Sequence, residues 1–266
     1  MSAVLLREND DRPAFVRLAF EHFQFLSRAE GRTVLLKPNI VSHEPYPTTT
    51  HPSLLESCLT ILTPIATRII VADGPAWDAP DPERIVNNHP LKGPCDRHGL
   101  AITDLLAEGV RTVRTRKHEL EVSLMAFDCD LIVSLPLLKT HGICGMTGAL
   151  KNQIGFLSPD NKRRLHHGWD VNEVIAELNE VVVPNLYIVD AVETMTFTNE
   201  ARHGGRQARL GYMLAGTDPL SLDVLGLELM GKVEPRLEGK SFEEIPHLRH
   251  AAAIGLGDST YEIIED

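Results

Sequence analysis

The sequence is poor in the cysteine patterns that bind metal clusters or form disulfide frameworks. Its cysteines stand far apart, at Cys58, Cys95, Cys129 and Cys144, and no CxxC pair occurs among them. This spacing excludes the usual zinc-ribbon and ferredoxin patterns, so no iron–sulfur cluster is expected. It is typical of reduced cytosolic thiols, and the sequence points to no other cofactor.

Basic residues and long apolar runs are also scarce. Lysine and arginine number 26 against 37 aspartates and glutamates, which gives a formal charge of −11. Nucleic acid binds to a basic face, so a nucleic-acid partner is not expected. No apolar run approaches the ~20 residues that span a bilayer, and the N-terminus lacks the basic flank and cleavage site of a signal peptide. We therefore predict a soluble cytoplasmic protein without a membrane partner.

Aromatic residues make up only 5% of the chain, although 43% of it is hydrophobic. Plentiful aliphatic residues with few aromatics are typical of a packed α/β protein. At 266 residues the chain is long enough for a large core, and we predict a single α/β domain over residues 1–266. The polar residues 76–98, with several prolines and glycines, are predicted to form an insertion or lid with only a short helix.

Apolar, strand-like runs that end in polar residues recur along the chain. Examples are TVLLKPNIV at residues 33–41, TRIIVADGP at residues 67–75 and NLYIVDAVE at residues 185–193. Segments with helical spacing lie between the runs, for example from Pro52 to about Thr63. The polar tips of the five runs are Lys37 with Asn39, Asp73, Lys139 with His141, Asp190, and Asp218.

Strands that alternate with helices imply a mostly parallel sheet with helices on both faces. In such sheets, ligands bind in a crevice at the carboxyl ends of the strands. We therefore predict an α/β fold of this kind, and we expect the five polar tips to face one shared crevice.

Six short motifs follow one another in the chain. They are KPN (37–39), TTHP (49–52), LPLLKTH (135–141), TGALKN (147–152), IVDA (188–191) and AGTDPLSLD (215–223). Together they resemble the domain of unknown function 362 family, and the LKTH and TGALKN motifs are the most specific part of the likeness. Some members of that family carry a ferredoxin-like module with iron–sulfur clusters, and this sequence lacks the cysteines for one. The resemblance therefore indicates which residues to follow rather than a reaction.

Three lysines of these motifs, Lys37, Lys139 and Lys151, each stand beside a strand tip or a glycine-rich turn. Lysine is a compact cation suited to phosphate or carboxylate, and glycine-rich backbone offers further N–H donors. The glycines match neither the phosphate-loop pattern GxxxxGK[ST] nor the dinucleotide-binding pattern GxGxxG, so a nucleotide is not indicated. We predict an anionic small molecule as the partner, the alternative being three solvated surface lysines. The predicted ligand-binding residues are Lys37, Asn39, Thr50, Asp73, Thr147, Lys151, Asn152 and His166.

The predicted catalytic residues are Lys139, His141 and Asp190. Histidine exchanges protons near neutral pH, and an aspartate at a strand tip can orient it, although His141 is also consistent with a structural histidine. Asp218, which precedes Pro219, is predicted to cap a helix, and Asp223 is predicted to be structural.

The leading hypothesis is an enzyme that binds an anionic small molecule and performs acid–base chemistry such as isomerisation, elimination or group transfer. A second is a small-molecule or cofactor-binding protein that catalyses nothing. A third is a metal- or redox-linked protein that uses His141 and Cys144 with His166 or His167, although zinc needs three or four converging ligands. No oligomeric state is predicted.

Overall fold

The computed structural model describes residues 1–8, 10–74, 76, 78 and 88–265. The strands are β1 (Ser2–Glu8), β2 (Thr33–Pro38), β3 (Arg68–Asp73), β4 (Ile102–Asp104), β5 (Val110–Arg114), β6 (Glu119–Ser123), β7 (Leu131–Leu135), β8 (Lys139–His141), β9 (Gly145–Thr147), β10 (Leu186–Thr196), β11 (Arg206–Gly216) and β12 (Tyr261–Ile264). Eight of them form one sheet in the order β12-β1-β11-β10-β7-β2-β3-β4. The pairs β5-β6 and β8-β9 form two small separate sheets.

Helices connect most of these strands. They are α1 (Arg12–His22), α2 (Phe25–Ala29), α3 (Pro52–Leu62), α4 (Lys92–Arg97), α5 (Met125–Asp128), α6 (Ala149–Asn152), α7 (Pro159–Arg164), α8 (Val171–Val181), α9 (Pro219–Met230) and α10 (Pro246–Ala253). Within the described ranges, no helix is both long and apolar enough to cross a bilayer. Residue 75, and residues 77 and 79–87 of the predicted lid, lie outside these ranges; α4 lies in the described part of the predicted lid.

The predicted fold class is confirmed. Strands β10, β7, β2, β3 and β4 run parallel, and β11 is antiparallel to both of its neighbours. The sheet is buried on both faces, so β2 is apolar at successive positions: Val34 and Leu36 pack with α1 and α3, whereas Leu35 packs with α8. Helices α6, α9 and α10 cover the second face beside α8.

Capping bonds mark the starts of α1 and α9, and the cap of α9 by Asp218 confirms the prediction. Asp11 accepts a hydrogen bond from the backbone N–H of Ala14 at 3.0 Å, where α1 begins. Asp218 caps α9 by accepting from the backbone N–H groups of Leu220 and Ser221 at 2.9 and 3.2 Å. These bonds satisfy backbone donors that have no partner within the first turn of a helix.

The expectation that Asp218 faces the shared crevice is wrong. Strand β11 runs antiparallel to β10, and its last residue, Gly216, pairs with Tyr187 at the start of β10. Asp218 therefore lies at the opposite edge of the sheet, where Ser2 Oγ donates to its carboxylate at 2.8 Å. The direction of β11 follows from its connection, since only a loop with one short 3-10 turn separates it from β10.

A close backbone contact draws the turn after α6 over the carboxyl ends of β2 and β3. A side chain on Gly155 would overlap the carboxylate of Asp73 and lie 3.0 Å from Nζ of Lys37, and one on Gly74 would overlap the carbonyl oxygen of Gly155. Glycine at both positions lets the two segments touch. This contact sets the floor of the crevice.

We expect Gly155→Ala to lower the free energy of unfolding by about 1–3 kcal/mol, the usual cost of overpacking a closed site. Gly142→Ala is the matched control, because a methyl group there meets no atom within 4 Å. Both changes remove the same backbone freedom from the unfolded chain, so urea denaturation isolates the contact. Equal stability of the two variants would contradict the close contact of Gly155 with Asp73 and Gly74.

Candidate functional site

A cavity of about 430 Å³ lies at the carboxyl ends of the parallel strands. This volume falls within the range of small-molecule sites. The segments that line it are residues 39–41 after β2; Asp73, Gly74, Ala76 and Asp78 after β3; residues of the β8–β9 hairpin; residues of α6 and its following turn; Lys162, Leu165, His166 and Val171; and Thr198, Asn199, Glu200 and His203 after β10.

Lys37 lies directly behind the wall rather than in it. Its side chain is fully buried, and Nζ forms an ion pair with Asp73 at 2.7 Å and donates to Oδ1 of Asn152 at 3.3 Å. Burial lowers the pKa of Lys37, although Asp73 opposes the shift. Asp73 also accepts from the backbone N–H of Ile40 at 2.5 Å. Lys37 and Asp73 therefore tie the ends of β2 and β3 together beneath the cavity.

Lys139 is buried in the wall without a carboxylate partner. It is 2% exposed, and Nζ donates to Oδ1 of Asn39 at 3.0 Å and to the carbonyl oxygen of Thr48 at 2.5 Å. No ion pair joins it to any described residue. Burial lowers the pKa of Lys139 to about 7; the carboxylate of Glu200 opposes this shift, and the charge of Lys151 adds to it. A neutral amine has two hydrogens and one lone pair. The two hydrogen bonds use both hydrogens, and the lone pair takes part in neither of them.

Lys151 stands in the same wall, at the end of α6. Among the described residues, no group forms a hydrogen bond or ion pair with its ammonium. Burial lowers the pKa of Lys151, and the only favourable charge effects come from Cys144 and Glu200. Lys151 is half-buried and lines the cavity, so its amine is available to an anionic ligand there.

His141 is held as a neutral ring. Its Nδ1 accepts from the backbone N–H groups of Ile143 and Cys144, both at 3.2 Å, which assigns the ring hydrogen to Nε2. Burial lowers its pKa to about 2, and the charges of Lys151 and Lys139 contribute. Near neutral pH the ring therefore acts as an N–H donor, because Nδ1 is already occupied. The sequence suggested a residue that shuttles protons; the structure places a hydrogen-bond donor.

Two further charged residues of the cavity were missed in the sequence. Lys162 is buried, donates to the carbonyl oxygen of Gly74 at 3.2 Å, and has its pKa lowered by burial to about 8. Glu200 is 2% exposed and pairs with Arg202 at 2.7 Å. Both lie in segments whose sequence indicates only polar loops, and the one signal for Lys162 was the basic run around it.

Most of the predicted residues come together. Those that line the cavity are Asn39, Asp73, Lys139, His141, Thr147, Lys151, Asn152 and His166. Thr50 does not line it: its hydroxyl accepts from the backbone N–H of Asn39 at 2.8 Å and donates to the carbonyl oxygen of Leu135 at 2.7 Å. Thr50 thus supports the segment that carries Asn39.

Asp190 also lies away from the cavity walls. It is fully buried, and its carboxylate accepts from Nε of Arg12 at 2.7 Å and from the Tyr46 hydroxyl at 3.1 Å. The sequence placed Asp190 at a strand tip, but β10 continues to Thr196. Its side chain therefore joins helix α1 to the sheet.

The structure does not bring together the four residues of the metal hypothesis. Cys144 is fully buried in the core beside Met146, and Nδ1 of His141 faces the backbone. Within the described ranges, the ligand atoms that converge in a group of three belong to Asp170, Glu173 and His250 instead. Burial raises the pKa of the Cys144 thiol, as expected for a cysteine packed in a core.

Comparisons with known proteins agree with this architecture. The model of a family described as "Domain of unknown function (DUF362)" matches residues 34–228. The chain is 24% identical over 241 residues to the thylakoid-associated protein sll1697 of Synechocystis sp. (strain ATCC 27184 / PCC 6803 / Kazusa), covering 88% of this chain and 71% of that protein.

A solved structure shares the fold. The lactate racemase apoprotein from Thermoanaerobacterium thermosaccharolyticum superposes with a TM-score of 0.50 at 13% identity, over 82% of this chain. The superposition spans 54% of the racemase, so this chain corresponds to about half of that protein. At this identity the likeness concerns the fold alone.

We expect Arg12→Met to destabilise the protein by about 3–5 kcal/mol, because it leaves the carboxylate of Asp190 buried without its ion-pair partner. The control is Arg209→Met, which breaks the exposed pair with Asp10 and should cost less than about 1 kcal/mol. Urea denaturation of both variants measures the difference. A small loss for Arg12→Met would show that Asp190 does not hold α1 to the sheet.

We further expect the stability contributed by Lys139 to depend on pH. Its pKa is about 7 in the folded protein against an ordinary 10.5, so between these values the unfolded chain binds more protons. Stability therefore rises with pH in this window, by up to about 1.4 kcal/mol per pH unit, and this slope disappears in Lys139→Met.

The measurement is the difference in free energy of unfolding between wild type and Lys139→Met across this range. The difference should be flat below the folded pKa and grow above it, whereas the exposed Lys92→Met should give a constant difference. A pH-independent difference for Lys139→Met would mean that the buried amine is charged throughout.

Proposed function

The chain belongs to the DUF362 family, and we propose that it is an enzyme that binds an anionic small molecule in the cavity and carries out acid–base chemistry on it. The ligand is a carboxylate or a phosphate ester, and the reaction is an isomerisation, an elimination or a group transfer. The observation that carries this proposal is a buried lysine with two neutral acceptors, Lys139, in the same cavity wall as Lys151, for which the described residues supply no counter-charge.

Lys151 supports the anion half of the proposal. Its ammonium lies in the cavity wall, and the described part of the chain offers it no acceptor, so a bound anion supplies the missing counter-charge. The hydroxyl of Thr147 also lines the cavity and makes no hydrogen bond to a described residue. The anion would therefore meet one positive charge, on Lys151, and two neutral hydrogen-bond donors, the Thr147 hydroxyl and the Nε2–H of His141.

Lys139 supports the proton-transfer half. A proton acceptor works best when its pKa lies near the working pH, and burial brings the pKa of Lys139 to about 7. His141, as a neutral donor, suits an oxygen on which negative charge develops during the reaction. A carrier that only binds its ligand has no use for a lysine held neutral at physiological pH, which favours the enzyme over the non-catalytic alternative.

Two features of the relatives are not transferred to this chain. The racemase shares the fold, and lactate is not inferred as a substrate from that likeness. The name of the cyanobacterial relative associates that protein with thylakoids. For this chain we propose the cytoplasm, since all four cysteines are free thiols, as in a reducing compartment.

We expect inorganic phosphate or a small carboxylate such as malonate to raise the melting temperature, and Lys151→Met to weaken its binding about tenfold or more, the loss of one charge-assisted hydrogen bond. The matched control is Lys117→Met, which removes an exposed lysine paired with Glu173 and should leave affinity unchanged. Isothermal titration gives the dissociation constants. If no anion binds, or if both variants lose the same affinity, the proposal that Lys151 binds an anion in the cavity is contradicted.

The enzyme half has its own test, with the ligand that co-purifies and is identified by mass spectrometry. Incubation of that ligand with the protein in D2O should exchange a carbon-bound hydrogen or yield product, and Lys139→Met should do neither. A ligand recovered unchanged and unlabelled after long incubation would identify the protein as a carrier.

A further inference from the structure

We propose that the amine of Lys139 adds to a carbonyl carbon of the bound anion and forms an imine with it. The ligand is then an aldehyde or ketone that also carries a carboxylate or phosphate, a 2-oxo acid being a small example. This inference rests on the proposed function, because it places the same anion in the same cavity, and it names the class of substrate.

The hydrogen bonds of Lys139 match a neutral amine. Its two acceptors, Oδ1 of Asn39 and the carbonyl oxygen of Thr48, take the two hydrogens that a neutral amine possesses. An ammonium would bring a third hydrogen, for which the described residues supply no acceptor. The lone pair takes the remaining direction of the tetrahedral nitrogen, in a side chain that lines the cavity.

The burial of Lys139 favours the same form. The charge of Lys151 adds to this effect, whereas the carboxylates of Glu200, Glu44 and Asp73 oppose it from beyond ion-pair distance. A lysine that is enclosed beside a second cation loses its proton readily and becomes a nucleophile at neutral pH. The pKa of about 7 that follows from this burial agrees with the geometry.

His141 is placed to assist the addition. In the short strand β8, Lys139 and His141 are alternate residues and face the cavity, whereas Thr140 between them points away and donates to Glu234 at 3.1 Å. The Nε2–H of His141 can donate to the carbonyl oxygen and polarise it. Lys151 can hold the carboxylate or phosphate of the same ligand.

The chemistry balances without an added oxidant or reductant. The lone pair of Lys139 forms the carbon–nitrogen bond while the carbonyl π electrons move to oxygen, which takes up a proton. The nitrogen releases one proton in the addition, which gives a neutral carbinolamine. Its hydroxyl group then leaves as water together with the remaining hydrogen on nitrogen, and an imine remains. Formation of an imine acidifies the neighbouring carbon-bound hydrogens, which links this step to the acid–base chemistry of the site.

The test is reductive trapping on the full chain. Wild-type protein is incubated near neutral pH with pyruvate and sodium cyanoborohydride, and the product is analysed by intact mass and peptide mapping. We expect one saturable adduct on Lys139, slowed by inorganic phosphate as a competitor. Lys139→Arg, which keeps the cation and lacks the reactive amine, should give no such adduct, whereas Lys92→Met, an exposed lysine change, should react like wild type.

Modification spread over exposed lysines, with Lys139 unmodified in the wild type, would overturn the imine. This outcome is observed in the wild-type peptide map and does not depend on whether a variant folds. The proposed function fails differently: if neither phosphate nor any carboxylate changes the melting temperature, the anion site itself is absent. Anion binding without a Lys139 adduct would therefore refute the imine and leave the anion site standing.

Discussion

The site depends on lysine side chains, Lys139 buried and Lys151 half-buried, that have too few carboxylates beside them to neutralise their charge. Asp73 pairs with Lys37 beneath the floor, and this leaves Lys139 with two neutral acceptors and Lys151 with none among the described residues. A buried cation without a partner is strongly disfavoured, so the cavity either releases protons or takes up an anion. Both outcomes are useful to an enzyme: Lys139 supplies a lone pair, and Lys151 supplies a positive charge.

The fold produces this imbalance by bringing many backbone segments to one edge of the sheet. Parallel strands place the ends of β2, β3 and β7 side by side, and the contact of Gly74 with Gly155 draws α6 across them. The start of α6 is held by Asp223, which accepts from the backbone N–H groups of Ala149 and Leu150. The carboxylates of Asp223 and Asp190 are thus used to hold helices and strands together, and neither lies at the lysines of the cavity.

Residues next to a strand end in the sequence could be placed in the site before the structure was known. Asn39, Asp73 and Lys139 are of this kind, because a parallel sheet brings such ends together whatever the length of the connections. The sequence misled where the direction or length of a strand mattered. Asp218 follows an antiparallel strand, and Asp190 lies before the end of a long one.

The protonation states could not be inferred from the sequence for a different reason. The neutral form of His141 depends on its burial, on two backbone N–H groups that reach Nδ1 and on the charge of Lys151. Glu200 and Lys162 come from loops that a linear pattern cannot distinguish from ordinary surface segments. These properties arise only when separate segments are packed together.

The most direct measurement is an NMR titration of Lys139 in protein labelled with 13C at the lysine side chains, its signal assigned by its loss in Lys139→Met. We predict a midpoint near pH 7 in the free protein. We also predict that the midpoint rises when phosphate occupies the cavity, since an anion favours the charged amine. A midpoint near the ordinary lysine value of about 10.4 would contradict the central claim, because Lys139 would then carry a full charge and no lone pair at physiological pH.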